Sequence, residues 1–301
     1  MAPGRPETDT RQHSHPGATS PRPPWGAQAE LRPLAPGILE LRLSTPVSRG
    51  IGLLVTPFLV DDVLIDTGFP RVAALVRDRL AAHPLSAVAL THHHEDHCGA
   101  AALLAATRSV PILLAHPELA DREGVVAPLP YRRIVWGVRL PFSARPLPER
   151  LPTARRELWV LPTPGHSATH VAFFEERTGL LFSGDLYIAG NVAPILPEEA
   201  PWAHAASLRR CAELDPRLML TGHGAAHERP AARLRAKAAR IEQALEQVGE
   251  LLPTGLSDRA IVARLFRTRP GIRATELATG GEFSRLNFVR ACRRRAESTP
   301  R

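Results

Sequence analysis

Residues 91–100 read THHHEDHCGA, so four imidazoles and two carboxylates occupy the six consecutive positions from His92 to His97. Most charged runs of this kind are solvated surface. Here the upstream run Ala87-Val-Ala-Leu90 has the composition of a buried strand and would carry the cluster to that strand's end. Alternation along an extended loop would put His92, His94 and Asp96 on one side, with His97 beginning the turn into a helix at 99–106. His93 and Glu95 would then face elsewhere, as structural or solvent-facing residues.

A short apolar run followed by ligand-type side chains recurs four more times. Val63–Ile65 leads to Asp66-Thr-Gly68, residues 158–161 lead to Pro164-Gly-His166, Leu180–Phe182 to Ser183-Gly-Asp185, and Leu218–Leu220 to Gly222-His223-Gly224. Glycines beside His166, Asp185 and His223 let the backbone turn sharply and approach a buried site. The donors suffice for two metal ions. His92, His94 and His166 offer three nitrogens to one; Asp96, His97 and His223 offer two nitrogens and an oxygen to the other; Asp185 can bridge both. Each ion keeps an open position for a shared water, as catalytic rather than closed structural sites do. Nitrogen and oxygen donors without thiolate suit Zn, and Fe or Mn also accept them.

The 301 residues are 44% hydrophobic, an ordinary soluble composition, and are enough for one large domain or two smaller ones. No stretch approaches the roughly 18 apolar residues of a membrane span. The N-terminus lacks the apolar segment of a secretory signal, so a cytoplasmic protein without a membrane partner is expected. Cys98, Cys211 and Cys292 are too few and too widely spaced for a disulfide framework and read as reduced, structural thiols. The net charge of +8 lies in residues 231–301, which hold 15 Lys plus Arg against 7 Asp plus Glu, while residues 1–230 hold 23 of each. Such a segment can meet nucleic acid or another polyanion. A single lysine, Lys237, among so many arginines points instead to a codon bias that spreads arginine throughout.

Residues 1–36 are rich in Pro, Gly, Ser and Thr, so a disordered extension is expected there, with His13 and His15 solvated. Strands are expected at 38–43, 52–55, 58–60, 63–65, 88–90, 110–114, 158–161, 171–174, 180–182 and 218–220, and helices at 70–82, 99–106 and 203–214. Their alternation over residues 37–230 indicates an α/β layered protein. Residues 116–157 show little periodicity and read as an insertion that shapes a pocket. Residues 231–301 carry helical stretches at 231–249, 257–268 and 283–296, divided by Pro253-Thr-Gly255 and Gly280-Gly281, and read as a small, basic, all-helical C-terminal domain.

In order and spacing the five ligand loops resemble the metallo-β-lactamase superfamily, over roughly residues 37–230. The resemblance implies an α/β fold, the four-layer αββα sandwich, followed here by the helical appendage. It implies a hydrolase in which His92, His94, Asp96, His97, His166, Asp185 and His223 hold two Zn ions, and Asp66 supports the ligand loop from behind. His170 and Tyr187 are candidates for contacting substrate, His170 alternatively for orienting a ligand. Two cations sharing a water lower its pKa and yield a bridging hydroxide. Asp96 would orient it and accept its proton, while the cations polarise the scissile carbonyl or phosphoryl group.

The leaving group is less directly written. β-Lactamases of the superfamily usually place a cysteine where Asp185 stands, which disfavours antibiotic hydrolysis. The glyoxalase II branch shows a Gly-Cys-Gly-Arg type stretch after its bridging aspartate, whereas Leu-Tyr-Ile-Ala-Gly-Asn191 follows Asp185. Residues 231–296 resemble the winged-helix-like end of the β-lactamase-like protein 2 group, some of whose members cut single-stranded RNA, but without wing strands. The expectation is a dinuclear zinc hydrolase of an ester, thioester or related acyl small molecule, ahead of a phosphodiesterase or endoribonuclease. A mononuclear iron dioxygenase of the persulfide type and a nucleic-acid-binding module with a structural metal are the readings from other classes.

Overall fold

Short strands that are apolar at every position need cover on both faces, which stacked sheets flanked by helices provide. The computed structural model describes residues 24–120, 129–192, 194–266 and 270–298. The first sheet has the order β1 (Gln28–Ala35), β2 (Ile38–Ser44), β3 (Phe58–Val60), β4 (Val63–Ile65), β5 (Ala87–Ala89), β6 (Ile112–Leu114) and β7 (Arg145–Pro146). It is antiparallel as far as β4 and parallel beyond it. The second sheet joins β8 (Arg150–Pro152), β9 (Glu157–Pro162), β10 (Val171–Glu175), β11 (Leu180–Phe182), β12 (Leu218–Leu220) and β13 (Ala226–Glu228) in that order, with only β11 and β12 parallel.

Alternate residues of each strand divide between two cores. In β4, Val63 and Ile65 meet the second sheet while Leu64 meets helices; in β10, Val171 and Phe173 meet the first sheet while Ala172 and Phe174 face outward. Three short helices, α1 (Pro46–Gly50), α3 (Glu95–Cys98) and α5 (Pro130–Val135), lie in connecting segments. The helices α2 (Ala73–Arg79) and α4 (Ala101–Arg108) cover the first sheet through Val76 and Leu104. On the far side α6 (Pro201–Glu213) and α7 (Ala231–Leu251) cover the second through Leu208, Leu234 and Ile241. The result is the expected four-layer αββα sandwich. The C-terminal helical region continues from α7 into α8 (Asp258–Leu265), α9 (Pro270–Ala278) and α10 (Arg285–Ser298). Ile261, Phe288 and Val289 join the same apolar cluster as Leu208, so this region shares a core with the second sheet.

Three sequence expectations are corrected. Residues 28–35 are not part of a disordered extension, because they form β1, paired with β2 along its length. Ala29 is the one buried residue of that strand, so backbone hydrogen bonds at an edge, rather than an apolar pattern, hold it. Residues 1–23, with His13 and His15, lie outside the described residues. The strand expected at 52–55 contracts to a single bridge between Leu43 and Val55. The loop after β5 is extended only to His94, which caps α3, so Asp96 and His97 are presented by a helical turn rather than by alternation. No helix among the described residues is long and apolar enough to cross a membrane.

Candidate metal centre

Parallel neighbouring strands release their following loops at the same edge. Because β4 lies parallel to β5, Asp66 emerges beside residues 91–97; because β11 lies parallel to β12, Asp185 emerges beside His223. The two sheets are tied at this edge. Val171 N–H donates to the Thr91 carbonyl at 2.8 Å, Thr56 N–H to the Gly222 carbonyl at 2.8 Å, and Thr56 Oγ1 to the Thr221 carbonyl at 2.8 Å. The His166 loop follows β9 and needs Gly165, whose φ is +147° and where a Cβ would stand 2.3 Å from the His204 Cα of α6.

All seven ligand candidates converge. Their donor atoms form three overlapping groups, His92, His94 and His166; His92, His97 and Asp185; Asp96, His97 and His223, each with its atoms within 4.8 Å of one another. His166 Nε2 lies 3.0 Å from His94 Nδ1. The Asp185 carboxylate lies 3.4 Å from His166 Nε2, 3.2 Å from His97 Nε2 and 3.3 Å from His223 Nε2. Asp96 Oδ2 is 3.7 Å from His223 Nε2 and 3.8 Å from His97 Nε2. Within this nest His92 Nε2 is buried without a hydrogen-bond partner, and His97 Nε2 and Asp185 Oδ1 face each other at 3.2 Å without an aligned hydrogen bond. A buried orphan costs about 1–3 kcal/mol, and cations among these atoms would satisfy all three.

Partners on the outer ring atoms fix the orientation of four imidazoles. His97 Nδ1 is 2.8 Å from Asp66 Oδ2, and His92 Nδ1 is 3.0 Å from Thr91 Oγ1, which itself donates to Asp66 at 2.9 Å. His223 Nδ1 is 2.9 Å from the Leu54 carbonyl, and His166 Nδ1 is 3.5 Å from Glu199 Oε1. Each contact leaves Nε2 facing the centre. Asp66 sits at φ +59°, a left-handed conformation that Asp tolerates better than most residues, and its other oxygen accepts the Thr91 N–H at 2.8 Å.

The electrostatics divide the nest in two. Burial, reinforced by neighbouring imidazoles, holds His92 and His94 well below the ordinary histidine range, so both are neutral donors. Burial also opposes charge on His97 and His223, yet Asp185 foremost overcomes it, pushing His97 well up and His223 to about 9. Asp185 is driven well below the carboxylate range despite burial, by His223 and His97. Proton and metal would therefore compete most directly at the Asp96, His97 and His223 group.

Of the two substrate-contact candidates, His170 agrees with its alternative, the orienting of a ligand candidate, and Tyr187 points into the fold. His170 is 1% exposed and uses both ring nitrogens inside the fold: Nε2 accepts the Asp185 N–H at 3.1 Å, and Nδ1 meets Thr163 Oγ1 at 2.8 Å. It positions the Asp185 loop. Tyr187 is buried in the apolar cluster of the second sheet, with its ring edge-on to His227. Glu95 is not a mere spacer, because it pairs with Arg132 at 2.7 Å; His93 is half-buried, edge-on to His94. Cys98 is fully buried, and burial pushes its thiol far up, which suits the structural reading. Thr91 and Glu199 were missed: Thr91 has no signal beyond adjoining His92, and Glu199 lies 14 residues from Asp185 with none.

Comparison with known proteins bears on this geometry. The profile of the Metallo-beta-lactamase superfamily matches residues 55–223, more than half of the chain and the span from the bridge at Val55 to the last ligand candidate. The chain belongs to the metallo-beta-lactamase superfamily. Within that superfamily it is 35% identical over 133 residues to the "Probable metallo-hydrolase YybB" of Bacillus subtilis (strain 168), a match covering 44% of this chain and 60% of the relative. It is 35% identical over 147 residues to the hydroxyacylglutathione hydrolase of Halorhodospira halophila (strain DSM 244 / SL1), covering 48% of this chain and 50% of the relative. The solved structure of TTHA1623 in a di-iron-bound form is 34% identical, with a TM-score of 0.50, over 60% of this chain and 92% of that one. The matches thus span 50% to 60% of the two curated relatives named here.

Proposed function

We propose that this metallo-beta-lactamase superfamily member is a dinuclear zinc hydrolase of an ester, thioester or related acyl small molecule. The metals would be held by His92, His94, Asp96, His97, His166, Asp185 and His223. The observation that carries this reading is the place of Asp185: one carboxylate reaches His166 on one side and His97 and His223 on the other, all within 3.4 Å. When bound, the cations would acidify a water and polarise the scissile carbonyl. The protein's part is orientation. Asp66, Thr91 and the Leu54 carbonyl keep three imidazoles with Nε2 inward, and Asp96 would hold the attacking water and take its proton.

Two observations favour acyl transfer to water over cleavage of nucleic acid. Similarity to a hydroxyacylglutathione hydrolase points toward thioester or ester chemistry. The basic helical region uses many of its arginines internally: Arg293 pairs with Asp258, Arg295 lies over the Trp202 ring, and Arg240 and Arg294 donate to the carbonyls of Gly190 and Pro197. The di-iron form of a similar protein keeps iron as the metal to test against zinc.

The test is metal analysis of purified protein, followed by assay of the zinc-loaded form against thioesters, lactones and single-stranded RNA. Two zinc per chain and acyl turnover that disappears in Asp96→Ala is the expected result. RNA cleavage lost in Asp96→Ala, without any thioesterase activity, would reverse the substrate assignment. One iron per chain with oxygen consumption would replace the hydrolase by an oxidoreductase.

A further inference from the structure

A cavity of about 130 Å³ opens from the metal centre toward the helical region, with His166 and Asp185 at one side and Ile241, Phe283 and Phe288 among its walls. It is far smaller than the ~300–1,000 Å³ of sites for drug-sized ligands. Phe288 and Ile241 are core residues, 1% and 4% exposed, so the cavity is blind at that end. It suits a short acyl chain, leaving the bulkier leaving group on the solvent side.

The only lysine of the chain lines this cavity. Lys237 lies on the buried face of α7, in register with Leu234, Ile241, Ala244 and Val248, where an apolar residue would pack without penalty. It is 5% exposed. Among the described residues its ammonium makes one long hydrogen bond, 3.5 Å to the Leu186 carbonyl, lies 5.1 Å from the Tyr187 ring centroid, and forms no ion pair. Burial lowers its pKa to about 8 against the pull of Glu199 and Asp185, so it is mostly charged at neutral pH. Glu199, which shares the cavity, is already engaged: it accepts the Leu196 N–H at 3.0 Å and faces His166 Nδ1 at 3.5 Å. A cation without a bonded counter-charge thus lines a mostly apolar cavity that adjoins the proposed reacting centre and holds the Glu199 carboxylate at its edge.

We infer that Lys237 recognises a carboxylate at the far end of the substrate's acyl group, so that the enzyme acts on monoesters or monothioesters of short dicarboxylic acids. This rests on the acyl-hydrolase reading above. A single ammonium balances a monoanion, whereas a phosphate dianion would leave charge uncompensated beside the Glu199 carboxylate. The methylene groups between the two carboxyl carbons would lie against Val192, Ile241 and Phe288. Lys237 would act as a specificity residue rather than a catalytic one.

Two measurements test this. The first compares p-nitrophenyl esters of succinate and butyrate, acyl groups of equal length that differ in the terminal carboxylate, with spontaneous hydrolysis subtracted. The expected kcat/KM ratio favours succinate by about tenfold or more, collapses in Lys237→Met and is partly kept in Lys237→Arg. The second needs neither metal nor turnover. In protein labelled at lysine ¹³Cε, the sole lysine gives one signal, whose titration midpoint should rise by about one unit with saturating succinamate and stay put with butyramide. A lysine signal that ignores succinamate, or an ester ratio unaltered in Lys237→Met, would overturn the inference, and the wild-type titration decides even if the variant fails to fold. A responsive lysine with no turnover of either ester would instead overturn the acyl-hydrolase reading and leave the carboxylate site standing.

Discussion

The segment after β5 presents His92, His94, Asp96 and His97 within six positions, whereas the second sheet presents His166, Asp185 and His223 one at a time, from loops after β9, β11 and β12. In the first case the spacing is local: a strand end and one turn of α3 set the directions of four side chains. In the second case it is tertiary. Gly165 must clear α6, and Gly222 packs where a Cβ would come within 2.7 Å of His97 and 3.1 Å of Asp185. One half of the nest is a property of ten residues, and the other half exists only when both sheets and α6 are in place. Damage to the two halves should therefore differ in kind.

Substituting Asp185→Asn should have the largest effect, because it is the one group facing both triads. On the dinuclear acyl-hydrolase reading proposed above, kcat/KM on the ester should fall by about 10³-fold, with bound metal dropping from two per chain to one or less. Elemental analysis and steady-state kinetics on the same preparation check this; full metal content with full activity would remove Asp185 from the bridging position. Next in size is Gly165→Ala, where backbone stands in the way of the new methyl and the φ of +147° excludes an ordinary residue. A loss of about 3 kcal/mol in urea unfolding is expected, together with weaker metal binding through His166. The first-sheet loop has a polar support instead. Asp66→Ala would leave the buried Thr91 N–H and His97 Nδ1 without their acceptor, at about 1–3 kcal/mol for each orphan, and should lower metal affinity by about 10- to 100-fold. A competition titration against a chelator measures it, and an affinity equal to wild type would mean that Asp66 merely fills space.

The same contrast governs how much could be read from the sequence. THHHEDHCGA was legible because it concentrates donor residues immediately after an apolar run, and β10, β11 and β12 because their residues are apolar on both faces. The later ligand candidates were legible only as short Gly-flanked motifs in the right order. Edge strand β1 was not, since Ala29 alone is buried, too little to leave a pattern, and its register comes from pairing with β2. Nor were the directions of His170 and Tyr187, because distance along the chain from a ligand does not say which way a buried ring turns. Lys237 did leave a signal: a lone lysine between Leu234 and Ile241 breaks the apolar face of a helix in a chain that otherwise uses arginine. Composition alone had assigned that lysine no role.

Glu95 gives the smallest expected effect and bears on whether the first-sheet half is as self-contained as its sequence suggests. Standing between His94 and Asp96, it reaches Arg132 of α5 at 2.7 Å, and Arg132 reaches Glu282 of the helical region at 2.8 Å, where Tyr131 also donates. The turn that presents these ligand candidates is thus anchored to the C-terminal helical region. Arg132→Ala would leave two partly buried carboxylates without their cation, at a cost of about 1–2 kcal/mol after allowing for their partial exposure. The pH dependence distinguishes charge from packing. Burial holds the Glu95 carboxyl above its ordinary 4.5 even with Arg132 opposing it, and loss of the guanidinium raises it further. A carboxyl raised in the folded state is harmless while protonated and destabilising once ionised. The deficit of Arg132→Ala should therefore be small near pH 4.5 and grow as the pH rises to 8, read from urea unfolding at both values. An equal deficit at the two would show that Arg132 acts through its stem against Tyr131, and that the metal loop needs no electrostatic anchor.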